Sequence, residues 1–240
     1  QGRQLVLWRI CPVLFRIQRK FFSSSRSLTN LIPPGYRFLP VRDCTGPRFC
    51  RGPFSFEDIG MNFETLRVVQ DGVVLRVELN RPEQLNAMSR QMVTDLRDIF
   101  MSLNQNKSVR VVLLTGVGRH FCAGLDLKES QTSGTMSDVS DQLNRQKRFA
   151  EIYIAMRRCP QPIISLIQGA ASGGGMALAL SSDIRLLTHD ARLNAAFIRV
   201  GLSGCDMGVS YFLPRLVGAG IASELLLTGR FLKAERALQW

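Results

Sequence analysis

The fold of this chain is decided by one stretch, residues 162–180, which reads PIISLIQGAASGGGMALAL. The apolar run at residues 163–167 predicts a buried strand, since strands covered on both faces are apolar throughout. Gly169 follows the strand, and the three glycines at residues 173–175 precede an apolar helix at residues 176–180. This order predicts a strand, a tight glycine turn and a helix.

A second junction of the same kind lies earlier in the chain. A strand is predicted at residues 109–114, and the turn HFCAGLDLK follows at residues 120–128. A glycine turn that enters a helix exposes N–H groups at the positive end of the helix dipole, where an anion binds. Two such turns facing one point would stabilise a carbonyl oxygen that gains charge in a transition state. Phosphate binding is the alternative, but neither GxxxxGK[ST] nor GxGxxG is present.

The rest of the chain alternates between strand and helix patterns. Strands are predicted at residues 73–79 and 184–187, and helices at residues 219–227 and 233–239. Ser89 is expected to cap a helix with an apolar stripe at Met92, Leu96, Ile99, Phe100 and Leu103. A second long helix is indicated by Val139, Leu143, Phe149, Ile152, Tyr153 and Met156. The alternation predicts the α/β fold class.

Two local expectations concern acidic residues. The polar stretch at residues 130–137 predicts a mobile loop, on which Glu129 would lie. Asp183 precedes the strand at residues 184–187 and is expected to order the entrance of a strand. Neither carboxylate is therefore expected to take part in proton transfer.

The net charge of +12 is concentrated at the front of the chain. Residues 1–53 contain ten basic residues and one acid, whereas residues 54–240 contain 21 basic and 18 acidic residues. The nearly neutral body argues against a nucleic-acid partner. No stretch approaches the roughly 20 apolar residues of a membrane span, so stable membrane insertion is not expected.

The Arg-rich, Ser-rich front end is typical of a mitochondrial transit peptide, which acts as a positive amphipathic helix. A secretory signal is disfavoured because Arg9, Arg16 and Arg19 interrupt its apolar region. A disordered basic tail is the remaining alternative. Prolines in residues 30–55 disfavour regular structure there. We therefore predict a matrix-targeting leader and linker at residues 1–53 and one folded domain at residues 54–240.

Metal and redox chemistry have little support in the sequence. The chain has six cysteines without a CxxC pair and two histidines, His120 and His189. This pattern indicates neither a zinc site nor a disulfide framework. His120, beside Phe121, is expected to be a structural hydrogen-bonding residue.

Several motifs, in order, resemble the enoyl-CoA hydratase/isomerase (crotonase) superfamily. They are Asn80-Arg81-Pro82 with Leu85-Asn86-Ala87-Met88, Phe121 to Leu127, Gly169 to Gly175, Asp183-Ile184-Arg185 and Leu213 to Gly218. The resemblance covers about residues 63–240 and implies a spiral of ββα units. It implies an acyl-CoA thioester as substrate, with no cofactor besides the coenzyme A that the substrate carries.

The resemblance also implies a site. The thioester oxygen would be bound by the backbone N–H groups of Leu125 and Gly174. Coenzyme A would be held by residues 123–128 and by the second glycine loop, namely by Ala123, Gly124, Leu125, Asp126, Lys128, Gly173 and Gly174. For Lys128, a solvated surface lysine is the alternative. The family continues into a C-terminal helical region that builds trimers, so a homotrimer or hexamer is expected of the full-length protein, and exposed apolar surface of this chain.

The resemblance makes the acid–base group the open question. Hydratases of the family carry glutamates where this chain has Ala177 and Phe197 (or its neighbour Ile198). Asp206, followed by Met207 and Gly208, matches the catalytic aspartate of dienoyl-CoA isomerases, although a turn-capping role is the alternative. A single acid favours double-bond isomerisation in fatty-acid oxidation over hydration. A non-catalytic acyl-CoA-binding protein or an inactive truncated isoform is the other hypothesis.

Overall fold

The computed structural model describes residues 63–132 and 138–240, the side chains of residues 130–132 excepted. Before residue 63 it describes the backbone of three short strands only. The strands are β1 (Arg3–Trp8), β2 (Tyr36–Phe38), β3 (Glu57–Asp58), β4 (Leu66–Asp71), β5 (Val74–Leu79), β6 (Val111–Gly116), β7 (Ile163–Ile167), β8 (Ala170–Ser172), β9 (Ile184–Thr188), β10 (Arg192–Asn194) and β11 (Leu232–Lys233). The helices are α1 (Arg90–Ser102), α2 (Leu127–Thr132), α3 (Val139–Arg158), α4 (Gly174–Ser181), α5 (Val209–Val217), α6 (Ala219–Thr228) and α7 (Ala234–Gln239).

The larger sheet has the strand order β2-β1-β9-β7-β6-β5-β4-β3. Its middle strands, β5, β6, β7 and β9, are parallel, and β4 joins them through an antiparallel hairpin with β5. Every residue of β6, β7 and β9 is buried, because both faces of these strands are covered. Strands alternate with helices along the chain, which confirms the predicted α/β class.

A smaller sheet, ordered β11-β10-β8, begins directly after β7. Its strand β8 pairs in parallel with β10, and β10 pairs with β11 in the antiparallel sense. The chain therefore leaves the large sheet at Ile167, enters the small sheet at Ala170 and starts α4 at Gly174. This path places the glycine-rich turn directly after β8 of the small sheet.

Helix α1 follows the predicted pattern. The Ser89 hydroxyl accepts a hydrogen bond from the N–H of Met92 at 3.1 Å, as an N-cap does. All five residues of the expected apolar stripe are buried. None of the helices in the described ranges combines the length and the apolarity that a bilayer crossing requires.

The expected loop after residue 129 is partly wrong. Residues 127–132 form helix α2, and Asp126 caps it by accepting from the N–H of Glu129 at 3.3 Å. Glu129 itself accepts from the N–H of Arg90 at 3.0 Å, which joins α2 to the start of α1. A polar sequence forms a helix here because its cap and its contact with α1 replace an apolar stripe. Residues 133–137 lie outside the described ranges.

Two other expectations need correction. The apolar stripe of α3 is buried from Phe149 onward, but Val139 and Leu143 are 78% and 55% exposed because the first turns of α3 extend past the core. Arg3–Trp8 is a strand paired with β9, rather than part of a helix, and Tyr36–Phe38 pairs with it. The unpaired backbone groups at the edge of β9 account for this pairing. The rest of the predicted leader lies outside the described residues.

Asp183 connects the start of β7 to α3, in agreement with its expected role at a strand entrance. Its Oδ2 accepts a hydrogen bond from the N–H of Ile163 at 2.8 Å. Its Oδ1 lies 2.9 Å from Nη1 of Arg157, which also donates to the carbonyl of Ser181 at 3.2 Å. One carboxylate thus satisfies a backbone donor and a guanidinium at the same time.

The substitution Asp183→Ala is expected to lower the free energy of unfolding by about 2 kcal/mol, because the Ile163 N–H loses its acceptor. Urea unfolding followed by circular dichroism measures the loss. The matched control is Asp98→Ala, which removes an exposed ion pair with the adjacent Arg97 and should cost less than about 0.5 kcal/mol. Equal losses in the two variants would contradict the assigned role of Asp183.

Candidate active site

The two glycine-containing turns lie side by side. Cys122 pairs with Ala171 in a parallel bridge, in which the Cys122 N–H donates to the carbonyl of Ala170 at 3.1 Å. The N–H of Ser172 donates back to the carbonyl of Cys122 at 3.0 Å. The turn after β6 is therefore hydrogen-bonded to the strand that leads into α4.

Glycine is required where the two turns touch. Gly124 has φ +98°, and a Cβ there would lie 2.8 Å from the carbonyl oxygen of Ser172 and 3.6 Å from the nitrogen of Gly174. A Cβ on Gly175 would lie only 2.3 Å from the carbonyl oxygen of Cys122. Two backbones that approach this closely leave no room for side chains. The contact brings Gly174 next to the residue that precedes Leu125.

Both predicted donors lack a hydrogen-bond acceptor among the residues that the structure describes. The N–H of Met88 donates to Gly124 at 2.7 Å, and the N–H of Asp126 donates to Met88 at 3.1 Å. Leu125 lies between these two ladder bonds, so its own N–H points away from Met88. Gly174 is the first residue of α4, where an N–H has no intrahelical acceptor. Neither N–H donates a hydrogen bond to any residue in the described part of the chain.

The predicted coenzyme A-binding residues lie around this contact, and one of them has a structural role. The carboxylate of Asp126 forms an ion pair with Arg81 at 3.0 Å. Burial raises the pKa of Asp126, but hydrogen bonds from Glu129 and Arg81 outweigh it and lower the pKa overall. Lys128 is exposed on α2. The N–H of Ala123 donates to Leu85 at 3.0 Å, and Gly173 donates to Asn194 at 2.9 Å.

Asn86 supports the first turn, a role that sequence reasoning missed. It is fully buried, and its Nδ2 donates to the carbonyls of Val117 and His120 at 2.9 and 2.8 Å. Its Oδ1 accepts from the N–H of Arg81 at 2.9 Å. Asn86 also has φ +55°, a conformation that asparagine tolerates better than most residues. The sequence motif Leu85-Asn86-Ala87 does not reveal this role, because the hydrogen-bond partners lie about 30 residues further along the chain.

His120 is structural, as expected. Its Nδ1 accepts a hydrogen bond from the N–H of Ala170 at 3.1 Å, which requires an unprotonated nitrogen. Burial and the nearby charges of Arg119 and Arg192 lower the pKa of His120. Cys122 is unsuited to nucleophilic chemistry, because burial raises its pKa to about 12.

Tyr153, Met88 and Met207 surround Gly174. A Cβ on Gly174 would lie 2.7 Å from Cε of Met88, 3.1 Å from Sδ of Met207 and 3.2 Å from the Tyr153 hydroxyl. The hydroxyl donates to the carbonyl of Gly174 at 3.2 Å and lies 3.3 Å from Sδ of Met207. Burial raises the pKa of Tyr153 well above its usual range, with further contributions from Cys122 and Asp206. The phenol therefore remains protonated and acts as a donor.

Asp206 lies one residue from this cluster, at the start of the short helical turn Asp206–Gly208. Its Oδ1 accepts hydrogen bonds from the N–H of Met207 at 2.9 Å and from Nε2 of Gln146. Burial raises the pKa of Asp206, although both hydrogen bonds act in the opposite direction. The contact with Met207 agrees with the turn-capping alternative, and the raised pKa is typical of a general base. Both roles are compatible with the geometry.

Carboxylates are absent from the two other expected positions. Ala177 and Phe197 are both buried, at 0% and 4% exposure, and Ile198 is 44% exposed. Phe197 lies beside the second turn, since a Cβ on Gly173 would lie 3.8 Å from its ring. Within the described residues, no group of three or more His, Cys, Asp or Glu is placed to hold a metal ion.

The chain is similar in sequence to a family model and to several known proteins. Residues 70–240 match the family model described as enoyl-CoA hydratase/isomerase. The "Probable enoyl-CoA hydratase echA12" of Mycobacterium leprae is 41% identical over 170 residues, which cover 69% of this chain and 58% of that protein. The mitochondrial Delta(3,5)-Delta(2,4)-dienoyl-CoA isomerase of Rattus norvegicus is 32% identical over 187 residues, covering 74% and 57% respectively.

The chain is also similar in fold to solved structures. The crystal structure of an enoyl-CoA hydratase from Bacillus anthracis superposes with a TM-score of 0.68 at 32% identity, and covers 73% of this chain and 67% of that one. The fold therefore agrees with the spiral of ββα units that the resemblance implies. The chain spans about three fifths of the length of the curated relatives that it matches.

The substitution Gly175→Ala is expected to lower the free energy of unfolding by about 3 kcal/mol, since the new Cβ would collide with the Cys122 carbonyl. The measurement is urea unfolding. The matched control is Gly220→Ala in α6, where nothing lies within 4 Å of the new Cβ and the better helix propensity of alanine should slightly stabilise the fold. A well-tolerated Gly175→Ala would argue against close contact of the two turns.

Proposed function

The chain belongs to the enoyl-CoA hydratase/isomerase family, and on that premise we propose that its two glycine turns bind the thioester carbonyl of an acyl-CoA substrate. The observation that carries the proposal is the contact between Gly124 and Gly174, beside which the N–H groups of Leu125 and Gly174 have no acceptor among the described residues. Two donors on one oxygen form an oxyanion hole. The donors belong to the main chain, so the side chain at position 125 is free to vary.

The oxyanion hole would make the carbon next to the thioester acidic. When a base removes a proton from that carbon, the negative charge moves to the carbonyl oxygen as an enolate. Each preorganised donor stabilises such a charge by about 3 kcal/mol in the transition state. The energy is available because the hydrogen bonds of Asp126, Met88 and Ser172 fix both turns before the substrate arrives.

The coenzyme A portion would lie along the first turn. Ala123, Gly124 and Leu125 offer backbone to the pantetheine, with Gly173 on the facing turn. Asp126 contributes indirectly, because its carboxylate is already bound by Arg81 and by the start of α2. Lys128, exposed on the same helix, would bind a phosphate group of coenzyme A. No cofactor is needed besides the coenzyme A of the substrate.

We assign the proton transfer to Asp206. Its neighbour Met207 touches Gly174, and the phenol of Tyr153, which interacts with Asp206, is bonded to the Gly174 carbonyl. In this proposal the carboxylate would lie close to the carbon that becomes acidic. Its raised pKa makes it a stronger base than an ordinary aspartate once it is ionised.

Isomerisation is favoured over hydration because one carboxylate suffices for it. Asp206 would take a proton from the carbon next to the thioester and return it further along the conjugated chain, leaving the composition of the substrate unchanged. Hydration needs a group that activates water and a group that protonates the substrate. Ala177 and Phe197, at the positions of the hydratase glutamates, can do neither.

A non-catalytic acyl-CoA-binding protein is the second candidate. The same observation favours it, since apolar residues occupy positions 177 and 197. In that case the two N–H donors would still bind the thioester oxygen, but Asp206 would serve only to cap its turn. Both functions require the binding of acyl-CoA, but only the isomerase converts it into a product.

Location and assembly are further parts of the proposal. Relatives named as mitochondrial dienoyl-CoA isomerases support a mitochondrial site, together with the basic front end of the chain. A homotrimer or hexamer would cover exposed apolar side chains such as Leu227, which is 75% exposed. Fatty-acid oxidation is the process that supplies enoyl-CoA substrates.

The substitution Asp206→Asn is expected to lower kcat/KM by about 100-fold, because the amide cannot accept the substrate proton. The assay incubates the protein with 2-enoyl-, 3-enoyl- and dienoyl-CoA and follows ultraviolet absorbance. Turnover is expected with a 3-enoyl- or dienoyl-CoA in preference to 2-enoyl-CoA. Asp98→Asn on the exposed face of α1 is the control and should leave the rate unchanged.

Two outcomes would decide against this assignment. Full activity of Asp206→Asn would remove Asp206 from its role as base. Tight binding of all three acyl-CoA esters by the unsubstituted protein, without turnover of any, would favour the non-catalytic function.

A further inference from the structure

One face of α3 contacts both parts of the proposed site. Gln146 and Tyr153 are seven residues apart, which is about two helical turns, so they lie on the same side of the helix. Gln146 donates to Asp206, whereas Tyr153 donates to the carbonyl of Gly174 and touches Met207. A single rigid helix therefore fixes the distance between the acid and the turn that supplies the N–H donor.

Gln146 and Tyr153 lie in different surroundings. Tyr153 is buried and belongs to the core, but Gln146 is exposed and has no packing role in the described part of the chain. Its amide donates to the Asp206 oxygen that also accepts from the N–H of Met207. Both donors thus hold the same oxygen, Oδ1, and no hydrogen bond to Oδ2 is made within the described residues.

We propose that Gln146 is a positioning residue, which orients the Asp206 carboxylate so that Oδ2 is directed at the substrate and limits how basic that carboxylate becomes. This inference rests on the proposed function, in which Asp206 transfers the proton. Gln146 touches no reacting atom in this account. Its action passes through one hydrogen bond, which a charged acceptor makes stronger than a neutral one would.

Among the groups around Asp206, Gln146 is the one whose replacement is expected to change the pKa of Asp206. Helix α4 has no titratable side chain, and α3 contributes Tyr153, whose phenol remains protonated. In α5, Arg215 lies 3.7 Å from the ring of Tyr211 and donates to the Tyr211 carbonyl. The pKa of Asp206 is shifted by burial and by the hydrogen bonds from Met207 and Gln146, and none of these effects comes from a cation.

The sign of the effect follows from the hydrogen bond. An amide N–H stabilises the ionised carboxylate, so its loss raises the pKa of Asp206 further above the usual value. The base would then be ionised only at higher pH, and kcat/KM would fall severalfold on the acid side of the profile. A cation at position 146 would have the opposite effect and an acid would add to the increase.

The test follows the titration of Asp206 in the full chain. Protein labelled with [4-¹³C]aspartate is titrated by NMR, and the Asp206 carboxyl signal is identified by its loss in Asp206→Asn. Gln146→Leu should move the midpoint to higher pH, Gln146→Glu should move it further, and Gln146→Lys should move it to lower pH. The acid limb of kcat/KM with the best substrate should move in the same three directions.

Gln142→Leu is the matched control, because it removes the same kind of side chain one turn earlier on α3 and should move neither midpoint nor limb. A titration unchanged by Gln146→Leu, or shifts of one sign in all three variants, would overturn the role of Gln146. If Asp206→Asn retained full activity, the proposed function would fail instead, whatever the titration of the variants. Since the NMR midpoint requires no turnover, the two failures can be told apart.

Discussion

The close approach of two backbones is the constraint on which this site depends. Gly124 lies against Ser172 and Gly174, while Gly175 lies against Cys122, at distances that exclude a Cβ. Hydrogen bonds between Cys122 and the strand β8 hold the contact in register. Because the turns meet edge to edge, Gly124 and Gly174, from distant parts of the chain, become neighbours without the help of any side chain. The free energy of this arrangement comes from the buried sheets that carry the turns.

Most side chains around the two turns support the backbone, and one is assigned to proton transfer. Asn86 and His120 hold the first turn, and Tyr153 holds the second through the Gly174 carbonyl. These hydrogen bonds from side chains to the backbone help to fix one arrangement of the two turns. In the proposed function, the proton transfer is assigned to one partly buried carboxylate, Asp206. With one carboxylate assigned to proton transfer, we propose double-bond isomerisation rather than the addition of water.

Local patterns were sufficient to predict most elements. The apolar runs of β6 and β7, the Ser89 cap and the glycine turns each depend on neighbouring residues, so they can be recognised in the sequence. Contacts across the fold could not be recognised in this way: Gln146 meets Asp206 across 60 residues, and its exposed helical position resembles any solvated surface site. Helix α2 could not be predicted because it is stabilised by the hydrogen bond that the N–H of Arg90, at the start of α1, donates to Glu129. The exposed Val139 and Leu143 show that periodicity alone does not establish burial.

We propose that the N–H groups of Leu125 and Gly174 converge on one thioester oxygen. Isotope-edited infrared spectroscopy tests it directly, with an enoyl-CoA labelled by ¹³C at the thioester carbonyl and bound to the Asp206→Asn protein to prevent turnover. Two hydrogen bonds weaken the carbonyl bond, so the account predicts a stretching band at lower frequency than for the same thioester in water. A bound carbonyl at the frequency found in water, or above it, would contradict the account.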